Sequence, residues 1–202
     1  MASRPQRTLN PHPAPGALRL IQDFVNTRRL DTGRDELQGP KELRAWLARR
    51  DLLPADAEIH EAAWGAAIAV RELLRTVIRS HTGGAAGEDV AERLNEAFGD
   101  GHLRLVFADG DSMRLEPVDE GWPGVLTRLR LILFEEMAAG RWQRLKTCRD
   151  ADCQRVFYDA ARNRLGKWCN VRRCGAPVHS RTYRRRGRAG KRGRLTDNLI
   201  RG

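Results

Sequence analysis

The sequence predicts an α+β protein: a mostly helical N-terminal domain with one β-hairpin, then a small four-cysteine module and a basic C-terminal helix and tail. Three observations lead there. Apolar residues recur at helical spacing across residues 57–81, and the period then drops to two across 102–118. All 4 cysteines lie between Cys148 and Cys174, directly before a run of arginines.

Residues 1–16, "MASRPQRTLNPHPAPG", carry proline and polar groups and no apolar core of a secretory signal, and a disordered tail is expected there. The domain assigned to 17–143 begins with "ALRLIQDFVNTRRL", where Leu18, Ile21 and Val25, with Leu20 and Phe24, fit a short helix. In "GPKELRAWLARRDLLP", Pro40 starts a second helix, with Leu43, Trp46 and Leu47 on one face. From Ala57 to His81 the apolar positions Ile59, Ala63, Ala66, Val70, Leu73, Leu74 and Val77 predict a long third helix. "HTGGAAGE" ends it, and "EDVAERLNEAF" predicts a fourth.

In "HLRLVFADGDSMRLEPV" the alternation of Leu103, Leu105 and Phe107, then Met113 and Leu115, predicts a hairpin about Asp109-Gly110. "PGVLTRLRLILFEEMAAG" returns to helical spacing, with Pro123 in the first turn and Leu126, Leu129 and Leu133 inward. There is no internal repeat and no apolar run long enough for a membrane span, so a cytoplasmic protein that does not engage membranes is expected.

The net charge of +11 is unevenly placed. Residues 144–202 hold 18 Lys/Arg against 4 Asp/Glu, or +14; residues 1–143 hold 19 against 22, or −3. An ordinary globular part is thus joined to a part suited to polyanions.

"CRDADCQRVFYDAARNRLGKWCNVRRC" contains two Cys-x4-Cys pairs fifteen residues apart. Cys148, Cys153, Cys169 and Cys174 suit one tetrahedral Zn²⁺, and the metal would supply most of the stability of a module too short to bury a core. Two disulfides conflict with the reducing compartment expected, and an iron–sulfur cluster is the remaining rival. Phe157, Tyr158 and Trp168 between the pairs are read as the module's small core, with base stacking as the functional alternative. His179 is a further possible ligand, though four thiolates already close the site.

This stretch resembles, nearly position by position, the CGNR zinc finger family: Cys-x4-Cys, a Phe-containing strand, Asp159-x-x-Arg162-Asn163, Trp168-Cys169 and Cys174-Gly175 before a basic helix. "LRLIQDFVNT" and "RWQRLKTC" are similar to the ABATE domain that usually precedes that finger, so the resemblance covers about residues 17–186. It implies a bacterial transcription regulator, in some members called stress-induced, with duplex DNA as partner. After Cys174-Gly175 this chain has Ala176 and Pro177 where the family has Asn and Arg, residues that could cap the following helix and touch phosphate. Ala caps poorly, although Pro177 suits the first helical turn.

The finger is assigned to 144–186 and a flexible basic tail to 187–202. Arg181, Arg184 and Arg185 would share a helical face, and with Arg186, Arg188, Lys191, Arg192 and Arg194 they make eight cations in fourteen residues. Arg172 and Arg173, between the last two cysteines, join this candidate nucleic-acid surface. Asp23, Asn26 and Thr27, at the end of the first helix, and Arg71, which interrupts the apolar face of the third, form a candidate pocket for a small-molecule effector. Their structural alternative is hydrogen bonding within the fold.

No nucleophile elbow, phosphate loop or His-Glu zinc-protease word occurs, and a closed four-thiolate site has no open coordination position, so no enzyme activity is expected. The reading is a zinc-dependent DNA-binding regulator, nucleoid-associated, whose N-terminal domain senses a ligand or forms a homodimer. The alternatives are an RNA-binding accessory protein and a zinc adaptor that binds protein.

Overall fold

A computed structural model describes residues 12–107 and 110–176. Its helices are α1 (Leu18–Val25), α2 (Pro40–Ala48), α3 (Glu61–Ser80), α4 (Val90–Phe98) and α5 (Gly121–Ala138). Two antiparallel hairpins complete it: β1 (Leu103–Phe107) with β2 (Met113–Pro117), and β3 (Leu145–Thr147) with β4 (Val156–Tyr158). The chain is thus α+β as its periodicities predict.

Helix α3 runs through the middle and touches α1, α2, α4 and β3. It starts at Glu61 rather than Ala57, because His60 is extended (φ −86°, ψ 164°); Ile59 still packs on the core from outside the helix. Its buried stripe is Ala67, Val70, Leu74 and Ile78, at spacings of three and four. Against it lie Leu18, Ile21, Phe24 and Val25 of α1 and Leu43, Trp46 and Leu47 of α2. The rings of Phe24 and Trp46 meet at 5.5 Å between centroids. Helix α5 adds Leu126, Leu129 and Leu133, the three residues its periodicity points inward, together with Val125 and Ile132.

Residues 12–16, the end of the segment whose composition predicts disorder, dock on α1. Buried Gln22 accepts from Ala14 N at 2.7 Å and donates to His12 O at 2.9 Å. A glutamine buried on an apolar face requires such partners, and the chain before α1 supplies them.

The first hairpin behaves differently. Its register pairs Leu103 with Pro117, Leu105 with Leu115 and Phe107 with Met113, so the apolar side chains share one face as the alternation requires. That face is nevertheless uncovered along β1, where Leu105 is 59% exposed and Phe107 76%, while Leu115 and Pro117 of β2 are half-buried beside α5. Gly110 of its turn takes φ +74°, a conformation suited to glycine, and the expected turn residue Asp109 lies outside the described residues.

The second hairpin belongs to two cores. Leu145 and Val156 lie in the main helical core, while Phe157 packs with the four cysteines. The sequence boundary at 143/144 therefore falls at a seam where both regions share side chains.

Candidate metal centre

Strands β3 and β4 and the turn between them build half of the site. Cys148 follows β3 and donates its N–H to Arg155 O at 2.9 Å, and Cys153 N bonds to Asp150 O at 3.0 Å. The helical domain fixes this turn from behind. Asn26 donates to Val156 O at 2.8 Å and accepts from Val156 N at 2.9 Å, imitating a strand neighbour. Buried Arg75 of α3 bonds to Gln154 O, to Arg28 O and to Val25 O.

The second half is a short π-type turn, Val171–Gly175. Asn170 caps it, its side chain accepting from Arg173 N at 2.9 Å and its carbonyl from Cys174 N at 2.9 Å. Gly175 is buried, and a Cβ there would lie 3.0–3.3 Å from the Trp168 indole. The Trp168-Cys169 and Cys174-Gly175 words thus meet face to face, and any larger residue than glycine would have to push the indole aside. Phe157 is buried and Trp168 partly so, both against the cysteines, which is the small core expected of them. Tyr158 packs against the helical core.

All four Sγ atoms lie within 4.8 Å of one another, with Cys153 to Cys169 at 3.5 Å and Cys169 to Cys174 at 3.8 Å. None is in a disulfide. Four ligands at ~2.3 Å from one Zn²⁺ would sit about 3.8 Å apart, so the cluster has the size of a tetrahedral site.

The four thiols also shift one another's ionisation. Sulfur hydrogen bonds from Cys153 and Cys169 hold the Cys148 thiol down to about 2. The same kind of contact, from Cys148 and Cys153, pushes Cys169 up. Burial, then the charges of Cys148 and Cys153, push Cys174 up to about 12. One sulfur ionises at the expense of its neighbours, and four buried thiolates coexist only around a positive ion. The site binds one Zn²⁺ per chain through Cys148, Cys153, Cys169 and Cys174.

Between the halves runs the loop 159–168, wound on an ion pair that sequence reasoning missed. Lys146 of β3 and Asp159, 7% and 4% exposed, meet at 2.8 Å. Asp159 also accepts from Ala161 N at 3.1 Å and Gly166 N at 2.8 Å, and Lys146 donates to Arg164 O. Burial alone would raise the Asp159 carboxyl, but the Lys146 ammonium and the two amides hold it below its usual range. The signal was present in the words "RLKTC" and "DAARN", which supply the two partners; their separation in sequence hid the pairing.

Of the expected nucleic-acid residues, Arg172 and Arg173 are exposed on the metal-built turn. Arg173 reaches back to Asp31, which also holds Arg29, at 3.0 Å. Arg181, Arg184, Arg185, Arg186, Arg188, Lys191, Arg192 and Arg194, like His179 and Pro177, lie outside the described residues.

The four residues expected around an effector separate into two groups. Arg71, 1% exposed, donates to both oxygens of Asp35 at 2.7 and 2.8 Å and to Thr27 Oγ1 at 3.2 Å. Thr27 Oγ1 in turn donates to Phe24 O at 2.7 Å, so this pair forms a buried network within the fold. Asp23 and Asn26 instead line a polar cavity of about 180 Å³ next to β4.

Comparison with protein families gives two matches. The ABATE model, described as "Putative stress-induced transcription regulator", matches residues 18–147, and the CGNR zinc finger model matches residues 144–187. They overlap on β3, where the two cores meet. No protein with a curated description matches the chain. Among the described residues, no helix is long and apolar enough to cross a membrane.

Proposed function

Because the chain belongs to the ABATE family and carries a CGNR zinc finger behind that domain, we propose that it is a zinc-dependent DNA-binding protein that regulates transcription, and not an enzyme. One observation carries this reading: the metal-built turn leads directly into the cationic end of the chain, in a region of +14 beside a domain of −3. Zinc bound by four thiolates has no open position for a substrate, so its role is to fix that turn. Arginine-rich surfaces of this density bind phosphate backbones with release of counterions.

The test is competition between duplex DNA and structured RNA at equal salt. Preference for DNA is expected; preference for RNA would favour an RNA-binding accessory protein, and affinity for neither a protein-binding adaptor. Truncation after Tyr183 removes seven of the eight cations between 181 and 194. If about five of them touch phosphates, the slope of log K against log salt should flatten by roughly 4–5. An unchanged slope would move the surface to the metal-built turn.

We also propose that the protein is a homodimer joined through the first hairpin. The uncovered side chains of Leu103, Leu105, Phe107 and Met113, 43–76% exposed, offer an apolar surface on the order of 400 Å². That is about half of what one partner gives to a standard interface. Strand β1 is paired only with β2 among the described residues, so its outer edge is open to a second copy. Sedimentation should show a dimer that Phe107→Glu converts to a folded monomer.

A further inference from the structure

The 180 Å³ cavity at the seam is walled by α1, by the segment before α2 and by the metal-site turn, and its charges are not all neutralised. Arg19 holds both oxygens of Asp23 at 2.9 Å, and Arg29 holds Asp31 at 2.9 Å. The Asn26 carboxamide is committed to Val156. Three lining groups remain without an ion-pair partner among the described residues: the guanidinium groups of Arg50 and Arg155 and the carboxylate of Glu36.

Arg50 is nevertheless fixed. It lies 3.8 Å over the Trp46 ring and donates to Trp46 O at 3.1 Å. Burial holds its guanidinium below its ordinary range, although the charges of Asp23 and Glu36 act against that, and neither carboxylate forms an ion pair with it. A fixed, partly desolvated guanidinium lining the same small cavity as a second one is a site for a planar anion. The balance of two positive groups and one negative sets the ligand's charge: a dianion would meet Glu36 with no compensating group, whereas a single carboxylate fits.

We propose that this cavity binds a small carboxylate, held between Arg50 and Arg155, and that an ammonium group on the same molecule pairs with Glu36, so that a small α-amino acid is the preferred class. The volume is below that of ordinary drug-sized pockets, which limits the ligand to a few heavy atoms and its affinity to roughly the micromolar to millimolar range. The site bears on the metal module directly. Arg155 lends its carbonyl to Cys148 N–H, and Asn26 in the cavity wall grips β4. The proposal stands whether or not the basic end binds DNA, since its test uses no nucleic acid.

The full-length, zinc-loaded protein would be titrated with acetate, glycine and phosphate against chloride at constant ionic strength, followed by calorimetry and by melting temperature. Saturable binding is expected for glycine and acetate, with glycine at least tenfold tighter and phosphate no better than chloride. Arg155→Gln should weaken both at least tenfold. Glu36→Gln should remove glycine's advantage while leaving acetate bound at least as tightly, a change that a folding defect would not produce. No saturable response to either carboxylate, or a response that Arg155→Gln leaves intact, overturns the site. Equal binding of acetate and glycine overturns the amino-acid assignment.

Discussion

Around α3 the chain is held by packed apolar side chains from four helices, whereas around the thiols the described apolar groups are Phe157 and the partly buried Trp168. The helical region would keep its shape without any ligand, because its core is large enough to offset the entropy of ordering it. The metal region has no such reserve and must be closed by charge: a cation among four sulfurs and an ion pair beneath the loop. What the difference teaches lies at the seam. Strands β3 and β4 anchor Leu145 and Val156 in the apolar core although the cysteines flank them and Phe157 packs on the thiols, so dependence on metal should begin after Tyr158 and not at residue 144.

Metal removal gives the largest expected effect and the sharpest test. Structural zinc contributes about 10–16 kcal/mol in small modules. Chelation, or Cys169→Ser, should abolish zinc binding and remove amide-exchange protection over 159–176. Protection should persist in α3 and in the β3–β4 pairing. Loss of protection in β3 and β4 as well would erase the distinction drawn at the seam.

Next in size is Asp159→Asn. It leaves Lys146 buried without its counter-charge, and removing one member of a buried pair costs about 3–5 kcal/mol. The Asp159 carboxyl is held below its unfolded value, so its contribution is full above about pH 4 and is lost as pH falls through the lower folded value. Chemical denaturation across pH should therefore show wild type and variant far apart at neutral pH and converging in acid. Asp35, held down by Arg71 and Leu37 N–H against its burial, adds an acid-labile term of the same sign in the helical region.

The smallest expected effect is Gly175→Ala. Its methyl must displace the Trp168 indole, and overpacking of this kind costs about 1–3 kcal/mol. The variant should bind zinc more weakly, with Trp168 fluorescence altered and the melting of the helical region unchanged. A change in helical melting would mean that the indole supports both regions.

Much of this was legible in the sequence. Helical spacing gave α1 to α5, alternation gave the first hairpin and its apolar face, and cysteine spacing gave the metal ligands. Besides the Lys146–Asp159 pair, three things were hidden, each for a physical reason. Alternation shows that Leu103, Leu105 and Phe107 share a face but not whether anything covers it. Strand β3 is three residues long and pairs only with β4, which is itself held at Val156 by Asn26 and Gln22, 130 and 134 positions away, which no local pattern reports. Arg71 looked available for a ligand because it interrupts an apolar stripe; its partners Thr27 and Asp35 lie 44 and 36 residues away.

The grip of Asn26 and Arg75 on the β3–β4 turn has a kinetic consequence. Cys148 and Cys153 are presented on a surface that exists before any metal arrives, so loading should follow an order. Zinc would first be caught by this waiting pair, and Cys169 and Cys174 would then be drawn in as the loop closes. The conformational search left to that second step is only the short segment from Cys153 to Cys169, and its entropic cost grows no faster than the logarithm of its length. Release would run in reverse, with the second pair leaving first. Rapid mixing should accordingly resolve two phases, a fast one proportional to zinc concentration and a slower one independent of it.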